Sequence, residues 1–127
     1  MACLTIFVAQ AERKRFQPGA WDCCLMVADW VRENTGIDGA EPWRGRYGTR
    51  LGYLRHLKAG GGVEGVVSRG AGLAGLALTD APRRGDIGII ETDQGPTAAI
   101  CLGSRWMTTG RSGVAVLKTT ATVAWRV

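Results

Sequence analysis

The sequence predicts an α+β domain, with helices filling the first part of the chain and an antiparallel sheet the last third. Three observations carry this. Apolar residues recur at helical spacing behind Asp22, β-branched segments separated by turn residues follow Asp86, and no long linker divides the two regions. Helices first and strands afterwards place the helices on one face of the sheet. At 127 residues, 46% of them hydrophobic, the chain has the length of a single domain, 1–127, with one core.

Residues 3 to 16 form a first short helix, closed before Gln17 because Pro18 steers the preceding residue out of the helical region. The stretch "PGAWDCCLMVADWV" opens the second helix. Asp22 is its N-cap, and Val27, Trp30, Val31 and Asn34 follow Cys23 at helical spacing up to a stop at Gly36. Only Asp29, Arg32 and Glu33 give that helix a narrow polar side, so it is mostly buried. A third helix spans 49–59, and a weaker one, interrupted by glycine, spans 63–76. After the turn "PRRGD", the segments 86–90, 97–103, 105–109, 113–118 and 122–127 have the spacing of an antiparallel meander.

The charge balance, sixteen Lys and Arg against eleven Asp and Glu, gives a net +5. The most basic stretch, "RGRYGTRLGYLRHLK" from Arg44 to Lys58, holds five Lys and Arg and no acid. Its aromatics are not interleaved as base-stacking platforms, and no zinc-finger or RNA-recognition signature accompanies it. The reading favoured is therefore a solvated face or a docking surface for an acidic protein, with nucleic-acid binding the weaker alternative. No apolar run reaches the roughly 18 to 20 residues of a membrane helix, and the first residues lack the basic region and cleavage site of a secretory signal. A soluble protein is expected.

The four cysteines, Cys3, Cys23, Cys24 and Cys101, are expected as free thiols. No Cys-x-x-Cys occurs and His56 is the only histidine, so neither a metal nor any other cofactor is expected. Cys23 stands apart because a thiol in the first turn of a helix gains from the unpaired N–H groups and the helix dipole, which favour the thiolate. With a histidine beside it, such a cysteine is an acyl-transfer nucleophile. The competing reading is that Cys23 and Cys24 are small apolar core residues.

The motifs, taken in order, resemble a family. "WDCCLMVADWV" is similar to the segment of the NlpC-type cell-wall peptidases of papain-like fold in which Asp-Cys opens a buried helix and the Cys is the nucleophile. "RRGDIGII" resembles the turn and first core strand that follow, and "TAAICLGSRWMTTG" resembles the next segment, usually His-Val-Gly-Ile-Tyr-Leu-Gly. The resemblance covers residues 18 to 127 and implies a papain-like domain with Cys23 as nucleophile. Aligned on Leu102 and Gly103, the family's catalytic histidine falls on Thr97, which cannot exchange a proton near neutral pH. His56 is read as a surface histidine, on the third helix and away from the strand expected to face Cys23.

With Asp22-Cys23, Thr35-Gly36, "RGRY" (Arg44 to Tyr47) and "AWRV" (Ala124 to Val127), the chain looks closest to a short branch of that superfamily associated with tail assembly in tailed phages and phage-like elements. The resemblance implies a tail-tip component, made in the host cytoplasm and carried in the virion. Its partners would be tail hub and tip proteins, with peptidoglycan a further possible contact. On this reading Arg44, Arg46, Tyr47, Arg50 and Arg55 form the docking surface, Cys23 is a vestigial nucleophile and Asp22 a helix cap. The alternative is a working peptidoglycan endopeptidase that uses Cys23 and an unforeseen base.

Overall fold

The computed structural model describes residues 2–127 as four helices followed by five strands. The helices are α1 (Leu4–Ala11), α2 (Cys23–Thr35), α3 (Arg50–Ala59) and α4 (Gly62–Leu73). The strands are β1 (Ile87–Thr92), β2 (Gly95–Cys101), β3 (Trp106–Gly110), β4 (Gly113–Leu117) and β5 (Val123–Trp125). All pairings are antiparallel and the strand order is β4-β3-β2-β1-β5, so the α+β class holds and β1 to β4 form the expected meander, while β5 departs from it and pairs with the far side of β1 instead of with β4.

Helix α2 is the axis of the core. Asp22 accepts a hydrogen bond from the Leu25 N–H at 3.0 Å, and Gly36 ends the helix in the left-handed region (φ +78°) with its N–H on the Arg32 carbonyl. Seven α2 residues are buried, from Cys23 to Val31, and they pack on β2, β3 and α4. The main core joins six of them, all but Leu25, to Phe7, Val63, Val67, Ile87, Ile89, Ala98, Ile100 and Met107. A smaller cluster of Ile90, Ala99, Cys101, Trp106 and Ala124 fills the opposite face of the sheet. That division fixes the side-chain alternation of β2, in which Ala98 and Ile100 look toward α2 while Ala99 and Cys101 look away.

Several boundaries differ from the sequence reading. Helix α1 ends at Ala11, not residue 16, because its buried stripe of Leu4, Phe7 and Ala11 has no successor in the polar run from Glu12 to Arg15. The Lys14 ammonium lies instead over the Trp21 ring, 4.2 Å from its centroid. Helix α4 stops at Leu73, ahead of Gly75 at φ +73°. Strands β1 and β2 meet further along than expected, since Glu91 and Thr92 pair with Pro96 and Gly95 around a two-residue turn. Strand β5 is three residues long because Arg126 and Val127 leave the sheet to bond the buried Asp86 carboxylate, which Arg126 meets at 2.9 Å and the Val127 N–H at 3.1 Å.

Candidate functional site

Asp22 and Cys23 sit where the loop after α1 turns into α2, and both are buried. The Asp22 carboxylate has three partners: the Leu25 N–H, the Gly19 N–H at 3.2 Å and the Tyr47 hydroxyl, which donates at 2.6 Å. Gly19 is required where it stands. Its φ is +84°, and a Cβ there would come within 1.8 Å of the Tyr47 carbonyl oxygen, so the 17–21 turn and the Tyr47 backbone are in direct contact.

The polar partner of the Cys23 sulfur is the hydroxyl of Tyr53, at 3.3 Å. Tyr53 comes from α3, a helix capped by the Thr49 hydroxyl and without a single buried residue. Hydrogen bonding from the neighbouring Cys24 thiol, then from Tyr53 and from the backbone of Ala98, holds the Cys23 thiol below the ordinary cysteine range, against burial and the nearby Asp22 charge. Cys24 is displaced the other way, well above that range, by its hydrogen bond to Cys23 and by burial. Burial also raises both tyrosines far beyond the usual phenol range, with the Asp22 hydrogen bond adding to it at Tyr47 and the Cys23 charge at Tyr53. Both hydroxyls therefore stay protonated, which leaves Tyr53 able to donate to the sulfur or accept from the thiol.

His56 lies one helical turn beyond Tyr53. It is half-buried where a freely solvated histidine was expected. Its ring packs 4.4 Å from Trp43 and 5.2 Å from Tyr47, and its Nε2 is buried without a hydrogen-bond partner among the described residues. Burial lowers its pKa, and Arg69 works the same way, so the imidazole is neutral near pH 7 even though the Asp22 charge opposes the shift. The site is thus a ring of aromatic side chains, Trp43, Tyr47, Tyr53 and His56, closed over the mouth of α2.

Thr97 is not part of it. In the β1–β2 register it stands opposite Ile90, on the face that Ile90 and Ala99 turn away from α2. Its hydroxyl bonds Thr92 Oγ1 and the Gly95 carbonyl, both at 3.1 Å, within the hairpin. The β2 residue at the sulfur is Ala98, through its backbone. Strands β2 and β3 pair only at Ile100–Met107 and Cys101–Trp106, and where they part, the Thr108 hydroxyl takes the Ala98 carbonyl at 2.8 Å.

The five residues expected to dock a partner divide. Arg44 is held inside the chain, bonded to Asp38 and Asp29 at 2.8 Å each, and Tyr47 is committed to Asp22. The Arg44 bond lowers the Asp38 pKa, whereas burial raises that of Asp29. Arg46, Arg50 and Arg55 are exposed. Neither Tyr53 nor Trp43 was singled out by sequence; the available signal was the i, i+3 spacing of Tyr53 and His56 on a helix with no other polar-aromatic pair.

Removing the Tyr53 hydroxyl tests its donor role. In Tyr53→Phe the thiolate loses a hydrogen bond, so the Cys23 pKa rises and the pH midpoint of Cys23 alkylation by iodoacetamide, followed by mass spectrometry, moves upward. An unchanged midpoint would mean that the hydroxyl accepts from the thiol and does not stabilise the thiolate.

The fold and site define an α+β domain with a buried, tyrosine-covered cysteine at a helix mouth. The chain belongs to the family described as domain of unknown function DUF6950, whose profile matches residues 2–127. Comparisons with curated proteins and with solved structures gave no significant match.

Proposed function

We propose that this chain is a structural component of the tail tip of a tailed phage or phage-like particle, built on a papain-like, NlpC-type domain whose peptidase machinery has degenerated. The observation that carries the loss of catalysis is the Cys23–Tyr53 pair, a hydroxyl where a working dyad needs an imidazole. A phenol held protonated far above its usual range cannot take the thiol proton. It is equally poor at giving its own to a leaving amine. Without such help acyl transfer loses about 10²- to 10⁴-fold. His56 is occupied in its stack with Trp43 and Tyr47, with Tyr53 as the polar contact of the sulfur.

The tail location rests on the sequence resemblance, and the partners on this reading are hub and tip subunits of the same particle. Exposed Arg46, Arg50 and Arg55 suit such contacts, since Arg makes planar bidentate bonds and is enriched at interfaces. A second reading, a peptidoglycan endopeptidase, is favoured by one feature: the Cys23 thiol is lowered and sits at a helix N-terminus.

Incubation of the purified protein with peptidoglycan stem peptides, read by mass spectrometry, is expected to give no cleavage, and Cys23→Ala is expected to yield particles as infectious as wild type. Turnover that vanishes in Cys23→Ala would establish the endopeptidase instead. Purified tails that lack the chain would end the tail-tip reading.

A further inference from the structure

The two edges of the sheet are finished differently. At the β5 edge, the segment around Leu78 closes the row: the Thr79 N–H bonds the Ala124 carbonyl, the Arg126 N–H bonds the Ala77 carbonyl, and Leu78 bridges Trp125. At the β4 edge, among the described residues, no further strand or loop backbone pairs with the outer row. The register shows which groups are free. Gly110 and Gly113 close a two-residue turn and form a hydrogen-bonded pair, so Ala115 and Leu117 bond back to β3 while Val114 and Val116 direct their N–H and C=O groups outward. Sheet edges are usually protected by charge, proline or a bulge. Strand β4, "GVAVL", has none of these, and its Val116 side chain is 44% exposed.

The surrounding charge indicates what fits. No Asp or Glu occurs after Asp93, and the cations of that stretch are Arg105, Arg111, Lys118 and Arg126. Arg126 is neutralised by Asp86, whereas Arg105, Arg111 and Lys118 are exposed and make no ion pair among the described residues. A second copy is a poor occupant, because an antiparallel two-fold pairing would set the Arg111 end of each strand beside the Lys118 end of the other. We propose that β4 is a docking edge for an extended segment of another protein, apolar over about five residues and acidic at both ends, which would add a sixth strand through main-chain hydrogen bonds. This surface is independent of the aromatic site and of the tail-tip assignment.

The test uses two fluorescent peptides with the same core of five alternating valines and threonines, one flanked by two glutamates at each end and one by two lysines. In anisotropy titrations the glutamate peptide is expected to bind at least tenfold more tightly than the lysine peptide. Val116→Pro removes an outward N–H without touching the β3 ladder, and should weaken binding at least tenfold; Arg111→Glu with Lys118→Glu should invert the preference. Slowed amide exchange at Val114 and Val116 of the wild-type protein on peptide addition gives a readout independent of any variant. No binding by the glutamate peptide, equal binding of both peptides, or exchange protection elsewhere would overturn the proposal. Concentration-dependent dimerisation abolished by Val116→Pro would assign the edge to a second copy instead.

Discussion

Asp22→Ala is expected to lower the melting temperature by about 12 °C, corresponding to a loss of roughly 3 kcal/mol in a chain of this size. The residue is completely buried and its carboxylate serves three donors. Loss of the N-cap costs about 1 kcal/mol. Leaving the Tyr47 hydroxyl and the Gly19 N–H without their acceptor adds about 1 to 3 kcal/mol. Asp22→Asn keeps an oxygen for the cap and should lose only about a third as much. Thermal unfolding followed by circular dichroism distinguishes these outcomes, and an Ala variant melting within a few degrees of wild type would show that water replaces the carboxylate at little cost.

Gly19→Ala should be at least as damaging, by about 4 kcal/mol or more, because two penalties coincide. A side chain in the left-handed region costs roughly 1 to 2 kcal/mol wherever it occurs. At Gly19 the new methyl would also overlap the Tyr47 carbonyl, and backbone cannot swing aside as a flexible side chain can. Gly36 provides the control, since its φ is +78° and a Cβ there has nothing within 4 Å. Gly36→Ala should therefore show the conformational penalty alone, about 1 kcal/mol in urea unfolding. Equal destabilisation of the two variants would mean that the contact with Tyr47 yields easily.

The contrast between these two glycines shows what could be read in the sequence. Gly36 as a helix stop follows from its place after an apolar periodic run, and Asp22 as a cap follows from preceding that run; both are local rules, and both hold in the structure. The strand rhythm after Asp86 is local too, so the sheet was legible in outline. Gly19 against Tyr47 is a tertiary contact that no spacing announces. The same holds for the site. Arg44 looks free in a stretch without acids, yet its partners Asp29 and Asp38 lie on α2 and just beyond it. His56 looks like a surface residue on a basic helix until α3 folds over the mouth of α2 and brings its ring against Trp43 and Tyr47. Thr97 shows the same limit within one strand: one position's difference reverses the face, and the register with Ile90 turns Thr97 away from Cys23.

The strand order β4-β3-β2-β1-β5 also has a kinetic side. The β1–β2 and β3–β4 hairpins close over two-residue turns and can form within microseconds of collapse. Strand β5 must instead return past three strands to reach β1, and a closure of that length carries a larger entropic barrier. Until it arrives, one side of β1, the strand that holds the fully buried Ile87, Ile89 and Ile90, remains an open row of donors and acceptors. Docking of β5 is thus what removes this apolar edge from reach of other nascent chains, and the bonds of Arg126 and Val127 to Asp86 hold it there.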